Sequence, residues 1–219
     1  MATVLVTGGN RGIGLELCRQ FAKRGDDVIA TCREASPALR ETGAEIIEGI
    51  EVTDETSIET LARELQGLRI DILVNCAGVL TSESLDDLDI DRIRRQFEVN
   101  AIAPLRITAA LQDCLARGSK VVIITSRMGS IEDNSSGGYY GYRMSKAAVN
   151  IAARSLAHDL KDQGISVFLI HPGMVATEMT GHRGIPPEEA AADLVDRIDS
   201  LGPDESGTFW HAKGEPLPW

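Results

Sequence analysis

Short β-branched runs alternate with longer amphipathic stretches from one end of this 219-residue chain to the other. The runs fall at Thr3–Thr7, Asp27–Thr31, Glu45–Ile50, Ile70–Val74, Lys120–Thr125 and Ile165–Ile170, with a last short one near Thr208–Trp210. Between them, helical spacing of apolar residues marks Gly12–Arg24, Ser36–Thr42, Glu55–Leu65, Asp89–Arg117, Gly141–Gln163 and Pro187–Leu201. Runs such as Val121-Val122-Ile123-Ile124 are apolar on both faces, as a parallel sheet covered by helices on each side requires. Strand–helix units repeated with right-handed crossovers predict an α/β fold: one doubly wound parallel sheet of Rossmann type with helices on both faces. No internal repeat or Pro/Gly linker breaks the pattern, so a single domain over residues 1–219 is expected. The Ser-, Gly- and Asn-rich stretch Ile131–Gly141 sits between a strand and a long helix, where loops line a ligand crevice.

Composition removes several function classes. The net charge is −11 and the 22 Lys and Arg are scattered, which argues against a nucleic-acid surface. No run of about 18 apolar residues occurs, so no membrane partner is expected, and the N-terminus lacks the basic start of a secretory signal. Cys18, Cys32, Cys76 and Cys114 lie far apart without a Cys-x-x-Cys, which fits reduced thiols in the cytoplasm and no metal site.

The first strand runs into Thr7-Gly8-Gly9-Asn10-Arg11-Gly12-Ile13-Gly14, and a helix opens at once. Gly8 permits the tight turn, Gly12 lets a cofactor backbone approach, and Gly14 lets helix and strand touch. Ile13, Leu17 and Phe21 then recur at helical spacing and would face the sheet. The helix N-terminus presents unsatisfied N–H groups, a setting for a pyrophosphate.

Glycines at 8, 12 and 14 follow Thr-Gly-x-x-x-Gly-x-Gly, and here the chain begins to resemble the short-chain dehydrogenase/reductase family. Asn75-Cys76-Ala77-Gly78 resembles that family's Asn-Asn-Ala-Gly turn, with Cys76 replacing the second Asn. Asn100 matches the Asn that interrupts the long central helix, Tyr142-x-x-x-Lys146 the catalytic pair, and Pro172-Gly173-Met174-Val175-Ala176-Thr177 the nicotinamide-side loop. Ser126-Arg127-Met128-Gly129-Ser130, Tyr142-Arg143-Met144-Ser145-Lys146 and Leu217-Pro218-Trp219 resemble the small carbonyl reductase or C-factor-like branch.

By spacing alone Tyr142 and Lys146 could be an exposed helical pair; beside the glycine turn and Asn75–Gly78 they read as a reacting pair. At i and i+4 near a helix start the two side chains share a face. A free phenol titrates near 10, and a nearby ammonium is expected to lower that value. Tyr139 and Tyr140 are neighbours, but neither has a Lys four residues on. The resemblance implies a serine at the end of the preceding strand that holds the substrate oxygen. Ser126 stands there, 16 residues before Tyr142, whereas Ser130 fits the family's usual shorter spacing. Ser126 is preferred, because a strand terminus is held rigidly. The resemblance also implies a proton relay through Asn100 from Lys146.

After the second strand, Arg33 stands where an NAD-preferring chain carries an acid, and Arg11 lies inside the glycine turn. Two guanidiniums suit a ribose 2′-phosphate, so NADP(H) is the expected cofactor. The resemblance adds Glu51 and Val52 at the adenine, and Asn75, Ala77 and Gly78 along the cofactor. It further places Tyr142 and Lys146 at the nicotinamide ribose, Pro172 and Gly173 in the nicotinamide-side loop, and Val175 and Thr177 at the carboxamide. The implied activity is NADP(H)-dependent reduction of a small aldehyde or ketone, or oxidation of the alcohol, by a homodimer or homotetramer. One alternative is an NADP(H)-binding signalling or regulatory protein of C-factor type. Another is an epimerase or dehydratase of the extended branch, which usually has a different glycine spacing and a larger C-terminal region.

Overall fold

Alternate residues of a strand point to opposite faces of its sheet, and both faces are apolar here. In the computed structural model, which describes Met1–Trp219, seven strands form one fully parallel sheet in the order β3-β2-β1-β4-β5-β6-β7. They are β1 (Thr3–Thr7), β2 (Asp27–Thr31), β3 (Glu45–Ile47), β4 (Ile70–Asn75), β5 (Leu115–Ile124), β6 (Ser166–His171) and β7 (Thr208–His211). The helices are α1 (Gly12–Arg24), α2 (Pro37–Arg40), α3 (Glu55–Glu64), α4 (Ile90–Phe97), α5 (Ala103–Ala110), α6 (Tyr140–Asp159) and α7 (Pro187–Ser200). Leu5, Leu73, Val121, Ile123 and Leu169 face α3, α5 and α6 through Leu61, Ile107 and Val149. Val4, Val6, Val74, Val122 and Phe168 face α1 and α7 through Leu17, Phe21, Leu194 and Ile198. Each large side chain buried this way contributes about 1.5–3 kcal/mol. The result is the expected doubly wound, Rossmann-type sheet. No helix is long and apolar enough to cross a membrane.

The chain steps outward from β1 to β3 and then returns to place β4 beside β1. That reversal opens a crevice beyond the carboxyl ends of β1 and β4, where ligands of such sheets bind.

One expected element is wrong. The single helix over Asp89–Arg117 is instead α4, a π-helical turn at Glu98–Ile102, α5, and a 3₁₀ turn at Gln112–Cys114, after which β5 already begins at Leu115. Pro104 has no N–H to return to the carbonyl four residues earlier, which is that of Asn100, so the ladder slips by one residue there. The early start of β5 includes an irregular stretch, since Ile70 pairs with Leu115 but Ile72 with Lys120. Ser119 closes it by donating to the Ile70 carbonyl at 2.7 Å. β3 ends three residues earlier than expected, and Gly49, at φ 79°, turns the chain away.

Candidate active site

The glycine turn is packed too closely for any side chain. Gly8, at φ 70°, donates to the Thr31 carbonyl at 3.0 Å, and a Cβ on it would lie 2.9 Å from Ala77 Cα. A Cβ on Gly14 would fall 2.3 Å from the Gly8 carbonyl oxygen, so α1 rests directly on the turn. Gly12, at φ 55°, faces the Thr177 methyl group. The residue before α1, Arg11, gives it no side-chain cap, and its first turn holds no acid. Free N–H groups and the positive end of the helix dipole therefore face the crevice. Asn10 is fixed from outside: its carbonyl accepts the Ser36 hydroxyl at 2.9 Å and its Oδ1 the Ser36 N–H at 2.5 Å. Ile13 packs with the α1 face of the core.

Both arginines already have carboxylate neighbours. Arg11 pairs with Glu178, and Arg33 lies 3.7 Å from Glu51 with 72% of its side chain exposed. Glu51 also accepts Thr53 N–H and Oγ1–H at 3.3 and 3.1 Å and meets Arg95 at 3.4 Å. Burial would raise its pKa, but the Thr53 hydrogen bonds and the two arginines outweigh this and hold it below the usual range. Val52 is buried in the core.

At the end of β4, Asn75 is buried, with Nδ2 3.4 Å from Thr108 Oγ1 and Oδ1 unpaired. The Thr7 hydroxyl accepts Cys76 N–H and Ala77 N–H at 3.1 and 3.3 Å, which binds the β4 turn to the glycine turn. Asn100, in the π-helical turn, accepts Val79 N–H and donates to Val79 O, both at 2.9 Å, and donates to Ser145 Oγ at 3.0 Å. A Cβ on Gly78 would meet Asn100 Oδ1 at 3.4 Å. All polar atoms of the Asn100 side chain are thus engaged by protein groups.

Ser126 lies two residues past the end of β5 and caps the 3₁₀ turn Arg127–Gly129 by accepting Met128 N–H at 3.1 Å. A Cβ on Gly129 would lie 2.7 Å from the Lys146 carbonyl carbon, so this turn is pressed against α6. That contact sets Ser126 against Tyr142, whose titration it influences. Ser130 faces elsewhere: it donates to the Trp219 carbonyl at 3.0 Å and accepts Asp133 N–H at 3.1 Å. The extra residues between Ser126 and Tyr142 are taken up in the loop containing Gly137, Gly138 and Tyr139, all at positive φ.

Tyr142 and Lys146 are both buried on α6. The electrostatics differ from the spacing argument. Burial pushes the phenol up to about 12, and only the Ser126 hydroxyl pulls it back. The Lys146 ammonium donates to the Ile124 carbonyl at 2.9 Å and lies 5.8 Å over the Tyr142 ring, while burial pushes its own pKa down to about 8. The expected lowering of the phenol by Lys146 is therefore corrected: in this arrangement desolvation wins.

Pro172 follows β6, Gly173 turns at φ 86°, and Val175 is buried and bridges to Ile185. Between them Thr177 opens a single 3₁₀ turn, Glu178–Thr180, held by Thr180 Oγ1 donating to Val175 O. Sequence reading missed three features of the site: the buried Glu83, the Ser145 link, and His171. Burial beside His211, Arg127 and Lys146 pushes His171 down to about 3. None of the three stands at a telling spacing.

The family model "short chain dehydrogenase" matches residues 2–186. The chain belongs to the short-chain dehydrogenase family. Among relatives of this short-chain dehydrogenase, the 1-hydroxy-2-glutathionyl-2-methyl-3-butene dehydrogenase of Rhodococcus sp. (strain AD45) is 45% identical over 226 residues, covering 100% of both chains. The C-signal of Myxococcus xanthus is 42% identical over 154 residues, covering 68% of this chain and 93% of that protein. Among solved structures, the NADPH-bound carbonyl reductase from chicken fatty liver superposes with a TM-score of 0.91 at 28% identity, covering 100% of this chain and 99% of that one. The family makes the chain an oxidoreductase.

Proposed function

We propose that this short-chain dehydrogenase is an NADP(H)-dependent reductase of small aldehydes and ketones, working as a single domain in the cytoplasm. The observation that carries the reading is the meeting of Ser126, Tyr142 and Lys146 beside a glycine turn and an uncapped helix N-terminus. Residues Gly8, Asn10, Arg11, Gly12, Ile13 and Gly14 would hold the pyrophosphate side of the cofactor, with Arg11 and Arg33 at the 2′-phosphate. Glu51 and Val52 would line the adenine, Asn75, Ala77 and Gly78 the middle, and Pro172, Gly173, Val175 and Thr177 the nicotinamide. The fit rests on the cradle itself, in which a side chain at Gly8 or Gly14 would collide with backbone. The two arginines must exchange Glu178 and Glu51 for phosphate. Exposed ion pairs are worth about 0–1 kcal/mol, so a doubly charged phosphate displaces them readily.

NADPH, when bound, supplies a hydride to the carbonyl carbon. Tyr142, protonated at neutral pH because burial holds its pKa near 12, gives its proton to the carbonyl oxygen as charge builds there. The Ser126 hydroxyl orients that oxygen. Lys146, one helical turn away on the same face, would hold the nicotinamide ribose. Asn100 keeps the loop after β4 and the Ser145 turn in register with this group.

A signalling role without turnover is the competing reading, supported by the likeness to C-signal. It leaves the buried Ser126, Tyr142 and Lys146 set without a purpose.

Two expected results follow from the geometry. Ser126→Ala removes one hydrogen bond to the reacting oxygen and should lower kcat/KM about tenfold, the net worth of roughly 1–1.5 kcal/mol. Ser130→Ala, which loses only its Trp219 and Asp133 contacts, should leave the rate near normal. Steady-state kinetics on both variants decides, and a larger loss for Ser130→Ala reverses the assignment. The second concerns range. The segment after Thr177 forms one 3₁₀ turn and no α-helical lid, so little of a substrate's surface is covered. Several unrelated small carbonyls should be reduced, with Michaelis constants on the order of 1 mM or above. A single substrate bound at micromolar level, with close analogues rejected a thousandfold, would contradict this.

A further inference from the structure

The first turn of α6 has no cap of its own. Tyr139 precedes it in the left-handed region, at φ 52°, where a residue other than glycine is strained, and its side chain makes no bond to the helix. The N–H groups of that turn have no acceptor within the helix.

Residue 83, in the loop between β4 and α4, supplies what is missing. Its carbonyl oxygen accepts Tyr139 N–H at 2.9 Å, and its carboxylate Oε2 accepts Gly141 N–H at 3.1 Å. The other oxygen, Oε1, accepts Gln96 Nε2 at 3.0 Å, from α4, and the Thr81 hydroxyl. Gln96 cannot turn over, because its Oε1 takes Thr81 N–H at 3.0 Å. Each group directed at the carboxylate is therefore a donor, a pattern that suits a carboxylate and opposes an amide. Glu83 is 2% exposed and Gln96 is fully buried. A buried acid is tolerated only when its oxygens are engaged in this way, and a cap made at the surface would not need burial.

Gly141 completes the arrangement. A Cβ there would lie 2.2 Å from Gln96 Nε2 and 3.0 Å from Ile93 Cα, so the start of α6 is seated tightly on α4. Tyr142 is the next residue.

We propose that Glu83 is a positioning residue for Tyr142: its buried carboxylate, shared between Gly141 N–H and Gln96, fixes the first turn of α6 and with it the phenol against Ser126. This rests on Tyr142 being the proton donor, as argued above. An anion at a helix N-terminus also opposes the helix dipole favourably, which adds to the same effect.

The test is a charge-conserving exchange. Glu83→Gln keeps the size of the side chain but turns an amide toward Gln96 Nε2, donor against donor. In the double variant Glu83→Gln/Gln96→Glu the amide at position 83 again has a carboxylate to donate to, while its oxygen serves Gly141 N–H. Turnover is measured per NADPH-binding molecule, alongside the NADPH Kd and hydrogen exchange along α6. The single variant should lose about tenfold in kcat with the Kd within about twofold, because the glycine turn, the two arginines and the loop after β6, which would make most of the cofactor contacts, lie on other elements. Exchange should quicken at Gly141 and Tyr142, whereas Val149–Ala157 stay protected. The double variant should recover kcat to within about threefold and restore that protection, a coupling expected of directly bonded residues. Unchanged turnover per binding site in Glu83→Gln overturns the proposal. So does a loss that only follows the number of molecules still able to bind NADPH, or a double variant no better than the single one. If Tyr142→Phe kept its activity, the reading of Tyr142 would fall, yet the exchange result at Gly141 would still report on the cap.

Discussion

Replacing Tyr142 by Phe is expected to lower carbonyl reduction by at least about 100-fold, the usual worth of a positioned acid, while NADPH still binds. The substitution keeps the buried ring and removes the one proton that the site can give to the substrate oxygen. Ser126 has its own hydroxyl, but in the proposed reaction it orients the oxygen. Lys146 donates to the Ile124 carbonyl. Steady-state rates together with a fluorescence titration of NADPH check the result. Near-normal turnover in this variant would remove Tyr142 from the mechanism.

Replacing Arg33 by Asp should weaken NADPH binding by roughly 1–3 kcal/mol, or about 5- to 150-fold, the range for a lost hydrogen bond to a charged group. Arg33 is largely exposed and only loosely paired with Glu51, so it is free to turn toward a phosphate. An aspartate in its place would add a second anion beside Glu51. NADH has no 2′-phosphate and should lose far less. Michaelis constants for both cofactors, in both proteins, measure the effect. Equal constants for NADPH and NADH in the unmodified protein would contradict the assignment of the two arginines.

The parts of the molecule governed by local rules were legible in the sequence. β1, β2 and α1 begin and end where the alternation of β-branched runs and the glycine turn put them. The glycines were readable because Gly8 and Gly14 meet backbone at short range and Gly12 takes a positive φ. What was not legible depended on distant partners. The helix expected over Asp89–Arg117 is interrupted at Asn100, as the resemblance implied, but its end at Ala110 and the start of β5 at Leu115 follow from pairing with β4. Spacing alone could not separate Ser126 from Ser130. The residue that takes up Ser130 is Trp219, 89 positions away. The pKa of Tyr142 was misjudged because the i, i+4 pairing was visible and the burial of the phenol was not. Glu83 gave no signal at all, one acid in a loop with Ser82, Ser84, Asp86 and Asp87, until the fold brought it to the start of α6.

The most direct measurement is NADPH consumption by the unmodified protein over a panel of aldehydes, ketones, diketones and quinones, with NADH in parallel. A glutathione-conjugated alcohol with NADP⁺ belongs in the same panel, since a relative 45% identical is named for such a substrate. The expected result is turnover of several carbonyls with NADPH, at a clearly lower efficiency with NADH. Absence of turnover with every carbonyl and alcohol, in protein that binds NADPH, would contradict the reductase reading and favour a binding role.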